Sequence, residues 1–323
     1  MVVEQTRRML WAGVLACTAV AWLGCWRLGI GVGLSSAPIA LSMISLAGLA
    51  YLRKPTWALW VRRLLDLLEL LFLLAAVGYS GALLSYAAMG STSGYTDDLL
   101  VRLDAMLGFD WLKIRLAAEQ HGWMMELGRA AYASFFLSPL ILLPALVLTG
   151  RSSDAYRFLL AYALAVLLTN LLFAAFPAES AFQHFMPDRR HAWGDGPLRY
   201  LEAIHQLRAG TMAHVHIDRL QGIVTFPSFH ASAAFLFIWG AWPLRPLRAP
   251  MFAINSAMLV SATFFGGHYV VDILGGVALA WFSIQLVAII ERRIGAATPA
   301  ASLADGESAP ADVSGGATAP AVR

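Results

Sequence analysis

Residues 154–176, DAYRFLLAYALAVLLTNLLFAAF, decide the architecture. After Arg157 no charged side chain occurs through Phe176, and the apolar residues cover every side of a helix instead of one stripe. A helix of that length rises roughly 28 Å, close to the thickness of a bilayer's hydrocarbon core. Inside lipid the backbone must satisfy its own polar groups, so a lone segment of this kind crosses as a helix. Similar runs lie near residues 9–30, 33–52, 64–90, 122–149, 228–243, 250–267 and 268–290. The expected fold is an all-α polytopic transmembrane bundle of about eight spans, two of them (228–243 and 250–267) short. Composition agrees: of 323 residues 59% are hydrophobic and 13% charged, outside the range of soluble domains.

The net charge of +3 does not point to a nucleic acid, because the basic residues sit in short clusters between apolar runs. They are Arg7 and Arg8, then Arg53, Lys54, Arg62 and Arg63, then Arg151 and Arg157, then Arg245 and Arg248, then Arg292 and Arg293. Every second connection is basic, which places those connections and both termini in the cytoplasm. Residues 91–121 and 177–227, and the turn near 267, then face outward. Cys17 and Cys25 share one span about 12 Å apart, too far for a disulfide. Trp22 stands where a lipoprotein cleavage box wants a small aliphatic residue, so the first span is expected to stay.

The chain divides into N-terminal spans (1–63), a catalytic transmembrane domain (64–292) with an outer loop at 177–227, and a cytoplasmic tail (293–323). The tail's Ala, Gly, Pro and Ser cannot bury enough surface to order it. Residues 97–119 mix helically spaced apolar residues with Asp98, Asp104, Asp110 and Lys113, and predict one interfacial helix lying on the membrane. A short helix is expected at 198–207.

Two segments carry chemistry. Phe226-Pro227-Ser228-Phe229-His230 reads as a helix start, with Pro in the first turn and Ser228 as cap, where free N–H groups and the helix dipole attract an anion such as phosphate. An ordinary helix start with His230 at the interface explains the same residues. Gly266-Gly267-His268-Tyr269-Val270-Val271-Asp272 spaces His268 and Asp272 to share a helix face, so the carboxylate can hold one imidazole nitrogen and leave the other to attack. A structural His–Asp pair is the other reading, although a carboxylate inside an apolar span is costly enough to suggest function.

In order and spacing these segments, with LDAMLGFDW and AAYASFF before them, resemble the type 2 phosphatidic acid phosphatase superfamily, and within it the inositol phosphorylceramide synthase (inositolphosphotransferase) branch. The resemblance is clearest over residues 95–290. It implies a helical catalytic core in which His268 is the nucleophile that becomes a phosphohistidine, Asp272 orients it and His230 protonates the leaving oxygen. The backbone around Ser228 would help to hold the phosphate. It implies a membrane lipid phosphate as substrate, an alcohol or water as acceptor, no cofactor and no metal, and an outward-facing site in a bacterial inner membrane. Lipid phosphate hydrolysis is the alternative activity, and a proton-coupled transporter a more distant one.

The chain departs from the superfamily in two places. No Lys and Arg-Pro element precedes Pro-Ser-x-His at the usual spacing, and Ser261-Ala262 stands where Ser-Arg is expected. Arg208 is the preferred substitute for the missing phosphate-binding arginine, with Arg189, Arg190 and Arg219 behind it. His184, His191, His205, His214 and His216 crowd the outer loop, but no cysteine or closely spaced carboxylate completes a zinc site. Glu126 and Arg129, three apart, are expected to pair.

Overall fold

The computed structural model describes residues 2–33, 44, 45, 48, 54, 56–189, 199–216 and 220–304, with backbone alone beyond Ile294. It is an all-α bundle. Eleven helices occur among these residues: α1 (Val2–Arg27), α2 (Leu59–Ser91), α3 (Asp97–Met106), α4 (Trp111–Gln120), α5 (Gly122–Leu148), α6 (Ser152–Ala175), α7 (Ala181–Phe185), α8 (Arg199–Ala209), α9 (Phe229–Ala241), α10 (Arg245–Phe264) and α11 (Val270–Ala304). Two three-residue strands, β1 (Gly31–Gly33) and β2 (His214–His216), pair in parallel with Gly31 opposite His214.

Helices α1, α2, α5, α6 and the first 25 residues of α11 are long and apolar enough to cross a bilayer. They match five of the expected spans, α9 and α10 are helices at two more, and the remaining one, at 33–52, lies almost wholly outside the described residues. Helix α11 continues to Ala304, and the rest of the tail lies outside them too. The centre of the bundle is α6, whose Tyr156, Phe158, Leu159, Ala161 and Ala165 are fully buried against α2, α9 and α11. Helices α1 and α2 run side by side in the same direction, with Arg7 bonded to Glu69, Thr18 to Ser80 and Gly24 packed on Ala87. Arg27 and Leu59 are therefore at opposite ends of the bundle.

The basic residues gather at one end. Arg63 donates to the Leu148 carbonyl, and Arg157 pairs with Glu291 at 3.0 Å. The loops that follow α6 and α10 meet at the other end, where the β1–β2 pair and α8 cover a second core of Ile30, Leu83, Phe173, Ile204 and Ile223. A third, smaller core joins α3, α4 and α7 through Leu100, Trp111, Phe182 and Tyr269.

The single interfacial helix expected over 97–119 is two helices. The chain breaks at Leu107–Asp110, where Gly108 takes a φ of +79°, and the Asp110 carboxylate caps α4 by accepting from the Lys113 N–H. Nor does this region simply rest on the membrane. Asp97, Asp104, Trp111 and Arg115 are all buried, and each bonds to a loop or helix end beside the candidate site.

Candidate active site

The helical repeat that placed His268 and Asp272 on one face needs correcting, because α10 ends at Phe264 and α11 starts only at Val270. His268 lies in the turn between them. Asp272, in the first turn of α11, reaches backward in the manner of a capping box: its Oδ2 accepts from the Tyr269 N–H at 2.9 Å and faces His268 Nδ1 at 3.2 Å. His268 Nδ1 also faces the Thr225 carbonyl at 3.1 Å. A carbonyl and a carboxylate only accept, so Nδ1 carries the proton and the Nε2 lone pair is free. Both residues are buried, Asp272 completely. Its Oδ1 has no hydrogen-bond partner among the described residues.

The next two N–H groups of α11, on Val270 and Val271, go to the two oxygens of Asp104 at 2.9 and 2.8 Å. Asp97 does similar work nearby, accepting from the Glu179 and Ser180 N–H groups and from the Tyr269 hydroxyl at 2.9 Å. Burial raises both carboxyls above their ordinary range, against the downward pull of these hydrogen bonds. Helix α3 thus grips the loop that carries His268. The N-terminus of α11 is saturated by carboxylates and has no place for an anion.

The N-terminus of α9 differs. Ser228, fully buried, is its cap: the hydroxyl accepts from the Ala231 N–H at 3.3 Å, and its own N–H donates to the Asp272 carbonyl at 3.0 Å. The helix itself supplies no partner for the N–H groups of Phe229 and His230. Gly276 makes this approach of α9 to α11 possible, since a Cβ there would lie 2.2 Å from the Ser228 carbonyl oxygen. The His230 ring is 6.3 Å from that of His268 between centroids, so the start of α9 and the α10–α11 turn bring two imidazoles together. Tyr132 of α5 stacks on His230 at 4.0 Å and places its hydroxyl 3.0 Å from His230 Nδ1.

A family model described as the PAP2 superfamily matches residues 98–286, more than half of the chain. The chain belongs to the PAP2 superfamily. No curated protein and no solved structure matches it. It is an integral-membrane enzyme of PAP2 phosphatase and phosphotransferase chemistry.

Ala262 is fully buried, and its carbonyl accepts from the His268 N–H at 3.1 Å. Arg208 is on α8, with its guanidinium on the Thr92 and Gly94 carbonyls and over the Tyr95 ring. Arg189 pairs with Glu119 at 2.8 Å, while Arg190 and Arg219 lie outside the described residues. Arg115, which carries no motif, is 1% exposed and donates to the Phe264 carbonyl, holding the end of α10. Glu126 and Arg129 do pair, at 2.7 Å and exposed. Of the loop histidines, His205 pairs with Glu179 at 2.7 Å, His184 packs edge-on against Phe185 and His191 is outside the described residues; no metal-binding group of three occurs among those described.

Proposed function

We propose that this enzyme is a lipid phosphotransferase, similar to inositol phosphorylceramide synthase, that works through a phosphohistidine on His268. The observation that carries the reading is the position of His268 Nδ1 between the Asp272 carboxylate and the Thr225 carbonyl, which leaves Nε2 as the nucleophile. Asp272 orients the ring and offsets the positive charge that grows on it as Nε2 bonds to phosphorus. The phosphoryl oxygens lie against the free N–H groups at the start of α9, with Ser228 shaping that turn. Arg208 remains the candidate cation for the same oxygens, on release from its carbonyl partners when substrate enters.

His230 protonates the leaving alcohol as its bond to phosphorus breaks. A phosphate anion beside the ring favours the protonated form that this step needs. In the second step an acceptor alcohol attacks, returns a proton to His230 and frees His268. If water attacks instead, the enzyme is a lipid phosphate phosphatase. The substrate is a membrane lipid because the site lies at one end of a bundle of spanning helices, where headgroups present their phosphates. With the basic end in the cytoplasm, the site faces outward from a bacterial inner membrane.

Purified protein in detergent, given labelled lipid phosphates with and without an added alcohol, tests the proposal. Transfer predicts a new phospholipid that forms only with the alcohol and not with His268→Ala. Free phosphate alone would establish the hydrolase, and full activity of His268→Ala would refute both readings.

A further inference from the structure

The sequence places Tyr132 in the apolar run AAYASFF, where it reads as core. In the structure it touches both halves of the site. Its ring stacks on His230 at 4.0 Å with planes 21° apart, and its hydroxyl lies 3.0 Å from His230 Nδ1. The same ring packs on the loop before His268, where a Cβ at Gly266 would stand 2.6 Å from Tyr132 Cε2. Phe135, one turn further along α5, closes on His230 at 4.6 Å.

We infer that Tyr132 is a positioning residue that keeps the Nδ1 proton of His230 in place, so that Nε2 is the nitrogen that gives and takes protons at the substrate. This rests on the phosphohistidine reading above. His230 has to act as acid in the first step and as base in the second, with the travelling proton on one nitrogen throughout. In the imidazolium both nitrogens donate: Nδ1–H to the Tyr132 oxygen and Nε2–H to the leaving alcohol. The Nε2–H proton passes to the alcohol oxygen as the P–O bond breaks and the bond from phosphorus to His268 Nε2 forms. Neutral His230 keeps Nδ1–H on Tyr132, and its Nε2 lone pair takes the acceptor's proton as the P–N bond breaks and the new P–O bond forms.

The partner chosen for each histidine suits its task. A carboxylate behind His268 stabilises a positive charge that must persist in the covalent intermediate. A neutral phenol behind His230 fixes the ring without trapping the proton that must leave it.

The test compares Tyr132→Phe with wild type on two substrates, an alkyl phosphate ester whose leaving oxygen needs a proton and p-nitrophenyl phosphate, whose leaving group does not. The substitution keeps the ring that stacks on His230 and removes only the hydroxyl. In single-turnover experiments the rate of leaving-group release is expected to fall about 10–100-fold on the alkyl ester and less than about twofold on the aryl ester, because general acid catalysis in this step serves the poor leaving group. Equal losses on both substrates, or no loss on either, would overturn the inference. If Tyr132→Phe does not fold, fluorinated tyrosines at position 132 replace it: the alkyl rate should follow phenol basicity while the aryl rate stays flat, and a flat response on both overturns the inference. His268→Ala, run in parallel, separates the two levels, since activity retained there on both substrates refutes the phosphohistidine reading itself.

Discussion

Asp104→Ala probes the grip of α3 on the nucleophile loop. Asp104 is 3% exposed and accepts the Val270 and Val271 N–H groups, the first two of α11. Truncation leaves two donors without a partner at a helix N-terminus. Each lost hydrogen bond to a charged acceptor costs about 1.5–3 kcal/mol, and the lost charge near the helix dipole about 0.3–1 kcal/mol more. Burying the carboxylate is itself costly, so the net loss is expected at the lower end, about 3 kcal/mol. The assays are thermal unfolding in detergent and initial rates of lipid phosphate turnover. Asp104→Ala should lower the melting temperature and reduce kcat at least tenfold, because the loop that carries His268 loses its hold. Asp104→Asn, which keeps one acceptor, should fall between Ala and wild type. A variant with wild-type melting temperature and kcat would refute the idea that this carboxylate organises the site.

The same carboxyl makes stability depend on pH. Because burial holds Asp104 and Asp97 above the unfolded carboxylate range, their contribution is fully present below that range and is lost as pH rises through the raised folded values. Asp104→Asn should therefore flatten part of this dependence in unfolding experiments run across the acidic range. Gly276→Ala drives a methyl into the Ser228 carbonyl and should separate α9 from α11, costing about 1–3 kcal/mol or more and most of the activity. At the far end of the bundle, fully buried Glu69 accepts from Arg7 and Trp11, each at 2.6 Å, and from the Tyr156 hydroxyl at 2.9 Å. Glu69→Gln is expected to cost about 3–5 kcal/mol, as breaking a buried ion pair does, while protein that stays folded keeps its kcat.

The spans were legible because lipid imposes a length and an all-round apolarity that no other constraint mimics: α2, α5 and α6 lie within about five residues of their expected limits. Ser228 was legible as a cap, although Pro227, expected in the first turn, stands before the cap because α9 starts at Phe229. The turn near 267 was legible, but the next helix, expected from His268, starts only at Val270 and leaves His268 in the turn. Gly266-Gly267 was the signal, with Gly267 at a φ of +74° where a helix cannot continue. Asp104 looked like the polar face of an interfacial helix and Asp97 did not stand out, because their partners are backbone N–H groups distant in sequence that leave no trace in side-chain identity. Tyr132 was hidden by its apolar neighbours. Arg208 stands out in the sequence by its charge and loop position, while the Thr92 and Gly94 carbonyls that hold it leave no trace there.

The central claim is a covalent bond between phosphorus and His268 Nε2. The most direct measurement is rapid acid-free quenching of the enzyme with a lipid substrate labelled at phosphorus, followed by mapping of the labelled peptide. The account predicts an alkali-stable, acid-labile label on the peptide that contains His268, present in wild type, absent in His268→Ala, and accumulating in His230→Ala when the donor has an aryl leaving group. Turnover without any such label, or a label on a different residue, would contradict it.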